Sequence, residues 1–86
     1  MAEYSQAGRP EGRRPEVKYA VVYEKTARNY SAYIPDLPGC VATGATRAQV
    51  ERRIREAIAL HVEALRRENG RPPKPSAWTE LVEVSA

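Results

Sequence analysis

The spacing of apolar residues predicts three short strands at the start of the folded region. Strand-like alternation runs over 17–24 and again over 29–34, with a short polar turn between them, a pattern typical of an antiparallel hairpin. A third short strand is predicted at 40–43. Both faces of the first strand are partly apolar, which indicates that each side of the sheet is covered by something.

A long helix is predicted over 47–69, where apolar positions recur at helical spacing. Thr46 and Gln49 form a capping-box pattern at its start, and Asn69 with Gly70 forms a left-handed stop at its end. One broad apolar stripe can lie against a sheet. It comprises Val50, Ile54, Ala57, Ile58, His61, Val62 and Leu65.

A final strand is predicted at 79–84, after the stiff proline-rich connector 71–76. The element order is therefore β-β-β-α-β, which places the chain in the α+β class. We expect a four-stranded mixed sheet with one helix packed on one face, because a long connection through a helix suits a right-handed crossover to a parallel neighbour.

The segment between the second and third strands is a rigid corner. Pro35 and Pro38 lack a backbone N–H and fix φ, so they bracket a turn in which Gly39 supplies freedom to reverse the chain. Leu37 is predicted to plug the end of the core. We expect Asp36 to accept backbone N–H bonds within this turn, an interpretation that outweighs a catalytic role.

Length and composition indicate one small domain, at 17–84, preceded by a flexible basic arm at 1–16. A chain of 86 residues buries only about 60–65% of its unfolded surface. Cys40 is the single cysteine, so no internal disulfide can add stability, and self-association becomes the natural route to further burial. A lone thiol and the lack of an apolar leader predict a soluble cytoplasmic protein.

The sequence predicts no catalytic, cofactor or metal site. His61 lies within the apolar stripe of the helix, where a packed or rim histidine is the ordinary interpretation. Cys40 and His61 alone fall short of a zinc site, which takes three or four ligands. We therefore expect a protein that is not an enzyme.

The arginines leave two interpretations open. The net charge is +3, which favours an acidic protein partner or a nucleic acid. On the helix they alternate with glutamates, including Glu51–Arg55 and Glu63–Arg67, so a salt-bridged face in solvent is the ordinary interpretation. The candidate nucleic-acid contacts are Arg13, Arg14, Arg52, Arg66 and Arg67.

A sheet with one helix leaves its other face uncovered, and an uncovered aromatic patch is typical of an interface. Alternation alone does not fix which face is open. Trp78 is predicted either to anchor the connector on the core or to make an oligomer contact. The candidate interface residues are Tyr19, Tyr23, Tyr33 and Trp78.

The run Ala-Tyr-Ile-Pro-Asp-Leu-Pro-Gly-Cys at 32–40, followed by Gly44 and Thr46, resembles the N-terminal domain of the HicB-type antitoxins of bacterial toxin–antitoxin systems. The resemblance covers about 17–84. It implies a partial ribonuclease H-like fold without nuclease chemistry. The positions that match the family's structural motif are Pro35, Asp36, Leu37, Pro38, Gly39, Cys40, Gly44 and Thr46.

The same resemblance implies a partner. HicB-type proteins bind and block a small, RNA-cleaving HicA-type toxin, so we expect a non-catalytic inhibitor that acts as a homo-oligomer, either a dimer or a tetramer. Complete members often add a C-terminal DNA-binding module. This chain ends soon after Val84, so DNA binding is not expected. The alternative is a stand-alone nucleic-acid-binding oligomer that uses the arginines of the helix and the N-terminal arm.

Overall fold

A computed structural model describes residues 16–86. The elements are β1 (Val22–Lys25), β2 (Tyr30–Tyr33), β3 (Val41–Gly44) and α1 (Arg47–Asn69). The three strands form one sheet in the order β1-β2-β3, and both neighbouring pairs are antiparallel. The predicted N-terminal arm, apart from its last residue, lies outside the described residues.

The sheet has one face covered by α1 and one face that the helix leaves open. Ala32 in β2 is buried together with the helix residues Val50 and Ile54. Directly paired residues on neighbouring strands share a face, so Tyr23 and Ala42, the partners of Ala32, lie on the helix side. The alternation left this choice undecided, and the packing of the helix decides it.

The first strand is shorter than predicted. β1 starts at Val22 instead of near residue 17, although Tyr19 and Val21 in the segment before it still pack against the core. Their side chains satisfy the apolar pattern without a sheet ladder. Alternation therefore identified Tyr19 and Val21 as packed side chains but overstated the hydrogen-bonded strand, and Val17 and Tyr23 are exposed.

The core lies between the corner, the helix and the middle of the sheet. Leu37 is fully buried although it belongs to a turn, so the prediction that it plugs the end of the core is confirmed. Burying a side chain of this size stabilises a fold by about 1.5–3 kcal/mol. The buried apolar residues are Ala32, Ile34, Leu37, Cys40, Val50 and Ile54.

Backbone hydrogen bonds within the corner fix Leu37 in place. The Leu37 N–H donates to the Ile34 carbonyl at 3.0 Å, and the Cys40 N–H donates to the Leu37 carbonyl at 3.0 Å. Gly39 has a φ of 85°. This left-handed conformation is unfavourable for residues that carry a Cβ, whereas glycine adopts it readily. The corner is thus held by bonds between residues near each other in sequence.

Both ends of α1 have specific caps. The Thr46 side chain accepts a hydrogen bond from the Gln49 N–H at 3.1 Å, and the Gln49 side chain accepts one from the Ala45 N–H at 2.6 Å. In a standard capping box the second bond would reach Thr46 itself. At the other end Gly70 is left-handed, and its N–H donates to the Arg66 carbonyl at 2.8 Å.

The fourth strand predicted at 79–84 is not formed within this chain. Residues 71–86 contain no strand, and residues 78–86 are all exposed. The described sheet is therefore three-stranded and antiparallel, and the predicted mixed sheet with a parallel crossover is not confirmed in the single chain. A strand requires a neighbour to pair with, and the chain does not fold this segment back onto either edge of its own sheet.

Candidate protein-binding surface

The face of the sheet opposite α1 carries a row of apolar side chains. Tyr33 in β2 pairs with Val22 on one side and with Val41 on the other. Tyr33 is 41% exposed and Val41 is 62% exposed. We call this row of Val22, Tyr33 and Val41 the open face. Exposed apolar patches on small proteins commonly mark interaction sites.

The predicted interface tyrosines do not share one surface. Tyr19 is partly buried, and its hydroxyl donates to the Pro73 carbonyl at 2.5 Å. Burial raises the pKa of Tyr19, and the Asp36 charge raises it further. Tyr23 is exposed but lies on the helix side, opposite Ala32. Among the tyrosines that the sequence singled out, Tyr33 alone belongs to the open face.

Asp36 holds the C-terminal connector against the corner. One carboxylate oxygen accepts from the Ser76 hydroxyl at 2.7 Å, and the other accepts from the backbone N–H groups of Ser76 at 3.0 Å and Ala77 at 3.1 Å. The hydrogen bond from the Ser76 hydroxyl lowers the pKa of the Asp36 carboxyl most, and the two backbone N–H bonds lower it further. We call this set of contacts the Asp36 clasp.

The clasp corrects the sequence interpretation of Asp36. The carboxylate was expected to accept backbone N–H bonds within its own turn, but its partners lie 40 and 41 residues further along the chain. These hydrogen bonds join the connector to the corner. Sequence reasoning missed Ser76, because nothing in the local pattern around a serine in a proline-rich segment signals a partner so distant.

Trp78 does not anchor the connector, so that interpretation was wrong. Its side chain is 83% exposed, whereas the connector is held by Tyr19 and the Asp36 clasp. The other interpretation, an oligomer contact, stays a prediction. The indole is available for such a contact because the described chain leaves most of its surface in solvent.

Cys40 and His61 lie near each other without forming a recognisable reactive centre. Both line a shallow cavity, along with Val41 and Leu60. Cys40 is buried, and burial raises the pKa of its thiol, which disfavours the nucleophilic thiolate. Residues 16–86 contain no group of three or more His, Cys, Asp or Glu side chains placed to hold a metal ion.

The helix arginines are spread among acidic neighbours. Arg67 pairs with Glu63 at 4.0 Å, as the spacing predicted, whereas Glu51 pairs with Arg47 at 3.8 Å in place of the predicted Arg55. Such exposed pairs stabilise a helix only slightly. The other helical candidates for nucleic-acid contact are Arg52 and Arg66.

Those two arginines are 14 positions apart, about 21 Å along the helix axis at a rise of about 1.5 Å per residue. The remaining candidates, Arg13 and Arg14, lie outside the described residues. The part of the chain that the structure describes therefore does not gather the predicted arginines into one compact basic patch.

Comparison with known proteins decides the family. The protein-family model for the HicB-like antitoxin of bacterial toxin–antitoxin systems matches residues 19–85. The chain belongs to this family. The resemblance inferred from the motif at 32–40 is thereby confirmed. Membership supports an antitoxin role and points to a regulatory protein without catalysis.

Two curated relatives and one solved structure are similar to this chain. The chain is 34% identical over 62 residues to UPF0150 protein Ta0767 of Thermoplasma acidophilum, covering 71% of this chain and 90% of that protein. It is 32% identical over 64 residues to an uncharacterized 14.9 kDa protein of Haemophilus phage HP1, from the rep-hol intergenic region. That match covers 74% of this chain and 48% of the phage protein.

The solved structure is the HicA3 and HicB3 toxin–antitoxin complex. A chain of that complex matches with a TM-score of 0.55 and 36% identity, over 69% of this chain and 70% of the other. This HicB-like fold is thus similar to a chain solved within a toxin–antitoxin complex. Of the helices in residues 16–86, none has both the length and the apolar character needed to cross a bilayer.

Proposed function

We propose that this HicB-like chain is an inhibitor that binds and neutralises a small HicA-type, RNA-cleaving toxin, and that it does so without catalysis and as a homo-oligomer. The observation that carries the proposal is the 36% identity, at a TM-score of 0.55, to a chain of the HicA3 and HicB3 toxin–antitoxin complex. Family membership over residues 19–85 supports the same function.

The open face supplies a surface for the toxin. Val22, Tyr33 and Val41 span three strands, about 10 Å in width at about 4.8 Å between neighbouring strands. Aromatic residues at the centre of such a patch commonly carry much of the binding free energy. Tyr33 is therefore the residue we assign to the centre of the toxin interface.

Co-expression with a HicA-type toxin encoded beside this chain's gene tests the proposal. We expect the full chain to restore growth of cells that express the toxin, and the two proteins to purify together after a high-salt wash. Tyr33→Asp places a charge at the centre of the patch and is expected to weaken capture at least tenfold. Tyr33→Phe keeps the ring and is expected to retain capture.

Arg52→Ala is the matched control, because Arg52 is exposed on the helix, away from the open face. It is expected to leave toxin capture unchanged. Continued toxicity with no recoverable complex would overturn the proposal. Recovery of RNA that washes away with salt, weakened by Arg52→Ala and without a protein partner, would favour the nucleic-acid alternative, since contacts to phosphates weaken steeply with salt.

Two finer parts of the proposal concern architecture. Homo-oligomerisation is supported by the apolar side chains that the single chain leaves exposed. A fourth strand at 79–84, and with it the partial ribonuclease H-like sheet, stay predictions for the assembled protein. Light scattering over a range of concentrations tests the first of these, and a clean monomer at high micromolar concentration would contradict it.

A further inference from the structure

The last segment of the chain is apolar and yet exposed. We call residues 78–86 the C-terminal arm. Leu81 is fully exposed, and Trp78, Val82 and Val84 each keep most of their surface in solvent. The apolar positions that predicted a strand here, Leu81, Val82 and Val84, therefore have no neighbouring strand within residues 16–86. An exposed segment of this composition marks a site of association.

The root of the arm is fixed, although the arm itself is not packed. The Asp36 clasp binds the backbone of Ser76 and Ala77, and Tyr19 binds Pro73. The arm consequently leaves the domain at a defined place, beside the corner. A segment held at its root loses less conformational freedom on binding than a free tail does.

The sheet of the same chain offers an edge that needs a partner. β1 and β3 are its two outer strands. The helix packs on β2 and β3 but does not reach β1, and the Thr43 carbonyl of β3 already accepts a hydrogen bond from Arg53 at 3.0 Å. β1 is thus the less protected edge. An open edge of this kind readily accepts an added strand.

The length of the arm matches this edge, and the edge offers two lysines to an acidic arm. The arm carries Glu80 and Glu83, and β1 with the segment before it carries Lys18 and Lys25 alongside Glu16 and Glu24. The six residues of 79–84 are long enough to pair along all four residues of β1. Opposite charges on neighbouring strands stabilise pairing, and like charges oppose it.

We propose that the C-terminal arm of one copy adds as a fourth strand to the β1 edge of a second copy, and that the second copy returns its own arm in the same way. Each chain carries both the arm and the edge, so a two-fold pair satisfies both at once and closes. The exchange rests on the homo-oligomer part of the proposed function and is independent of toxin binding.

Light scattering after gel filtration provides the first test. The full chain is expected to run as a dimer or a multiple of one at high micromolar concentration. Leu81→Asp is expected to raise the dissociation constant at least a hundredfold. Because Leu81 is fully exposed in the single chain, this change leaves the monomer fold intact, which circular dichroism would verify.

Leu60→Asp is the matched control, since Leu60 is 74% exposed but lies on α1. It is expected to dimerise like the unchanged chain. A dimer that survives Leu81→Asp would overturn arm exchange while leaving homo-oligomerisation in place. If the unchanged chain stays monomeric, both arm exchange and homo-oligomerisation are overturned. Growth rescue by the full chain would still test toxin binding separately.

Cross-linking distinguishes exchange from a strand folded back within one chain. A double variant, Tyr23→Cys with Val82→Cys, is treated with a short bismaleimide, and the two single variants serve as controls because the native Cys40 is buried. If the arms are exchanged, the double variant is expected to give far more covalent dimer than either single variant. A cross-link within one chain, found by peptide mass mapping, would overturn the proposal.

Discussion

The corner at 34–40 and the C-terminal arm have similar apolar character but opposite environments. Leu37 in the corner is fully buried, whereas Leu81 in the arm is fully exposed. The two side chains are chemically identical. The difference shows that burial requires a complementary surface as well as an apolar side chain, and that the single chain supplies such a surface to the corner alone.

The two regions differ in where their partners lie in the sequence. The hydrogen bonds of the corner join residues three to six positions apart, as from Ile34 to Cys40, and its two prolines restrict the unfolded chain beforehand. A strand in the arm would have to pair with a segment far away in the sequence. Long-range pairing costs more chain entropy before any contact is made. It therefore forms only where the distant segment offers enough hydrogen bonds and apolar contacts to offset that cost.

The largest expected effect comes from truncating Leu37, and the same truncation at Leu81 is the comparison. Leu37→Ala creates a cavity in the core and is expected to lower the free energy of unfolding by about 2–5 kcal/mol. Leu81→Ala is expected to change it by less than about 0.5 kcal/mol at dilution. Urea denaturation at several protein concentrations measures both values.

The concentration dependence sharpens this comparison. If the arm is buried between two copies, the cost of Leu81→Ala grows with protein concentration, since association stabilises the folded state by mass action. The cost of Leu37→Ala should persist at every concentration. A large, concentration-independent loss for Leu81→Ala would show that the arm already packs within its own chain.

A smaller effect is expected at the close approach of β3 to the helix. A Cβ on Gly44 would lie 2.7 Å from the Val50 backbone nitrogen, so Gly44→Ala forces the backbone to shift and is expected to cost about 1–3 kcal/mol. Thermal denaturation measures the loss. Equal stability of Gly44→Ala and the unchanged chain would show that this contact is loose.

Gly39 is the matched control, because a Cβ added there would meet nothing within 4 Å and the constraint is the φ of 85° alone. Asparagine tolerates this conformation better than alanine does. Gly39→Asn is therefore expected to be more stable than Gly39→Ala. The corresponding pair at position 44 should not separate in this way, since any Cβ meets the helix backbone there.

The smallest effect concerns the junction between the two regions. The Asp36 pKa is lowered from 3.8 in the folded chain, so the ionised carboxylate favours the folded state. Its contribution is fully present above the unfolded pKa and is lost as the pH falls through the folded pKa, below 3.8. Acid should therefore release the connector from Asp36.

Amide chemical shifts of Ser76 and Ala77 followed by NMR between about pH 6 and about pH 2 would detect this release. Asp36→Asn removes the charge and is expected to abolish the pH dependence of both signals. If the two amides titrated in the same way in Asp36→Asn, another carboxylate would control the connector.

The strongest sequence signals were those in which local geometry and burial agree. The T-x-x-Q pattern at Thr46, the stop at Gly70 and the helical spacing from Val50 to Leu65 place the helix at 47–69. The motif at 32–40 was specific enough to indicate the family. These features depend on residues close in sequence, whose backbone preferences are set by proline, glycine and capping side chains.

The sequence alone determined the helix, the corner, the apolar stripe and the family to which the chain belongs. Only the tertiary structure decided which sheet face lies open, that Tyr33 belongs to that face while Tyr19 does not, that Asp36 binds Ser76, and that 79–84 pairs with no strand of the described residues. Each of these depends on contacts between residues far apart in sequence, and period-two alternation carries no information about which distant segment arrives on which side.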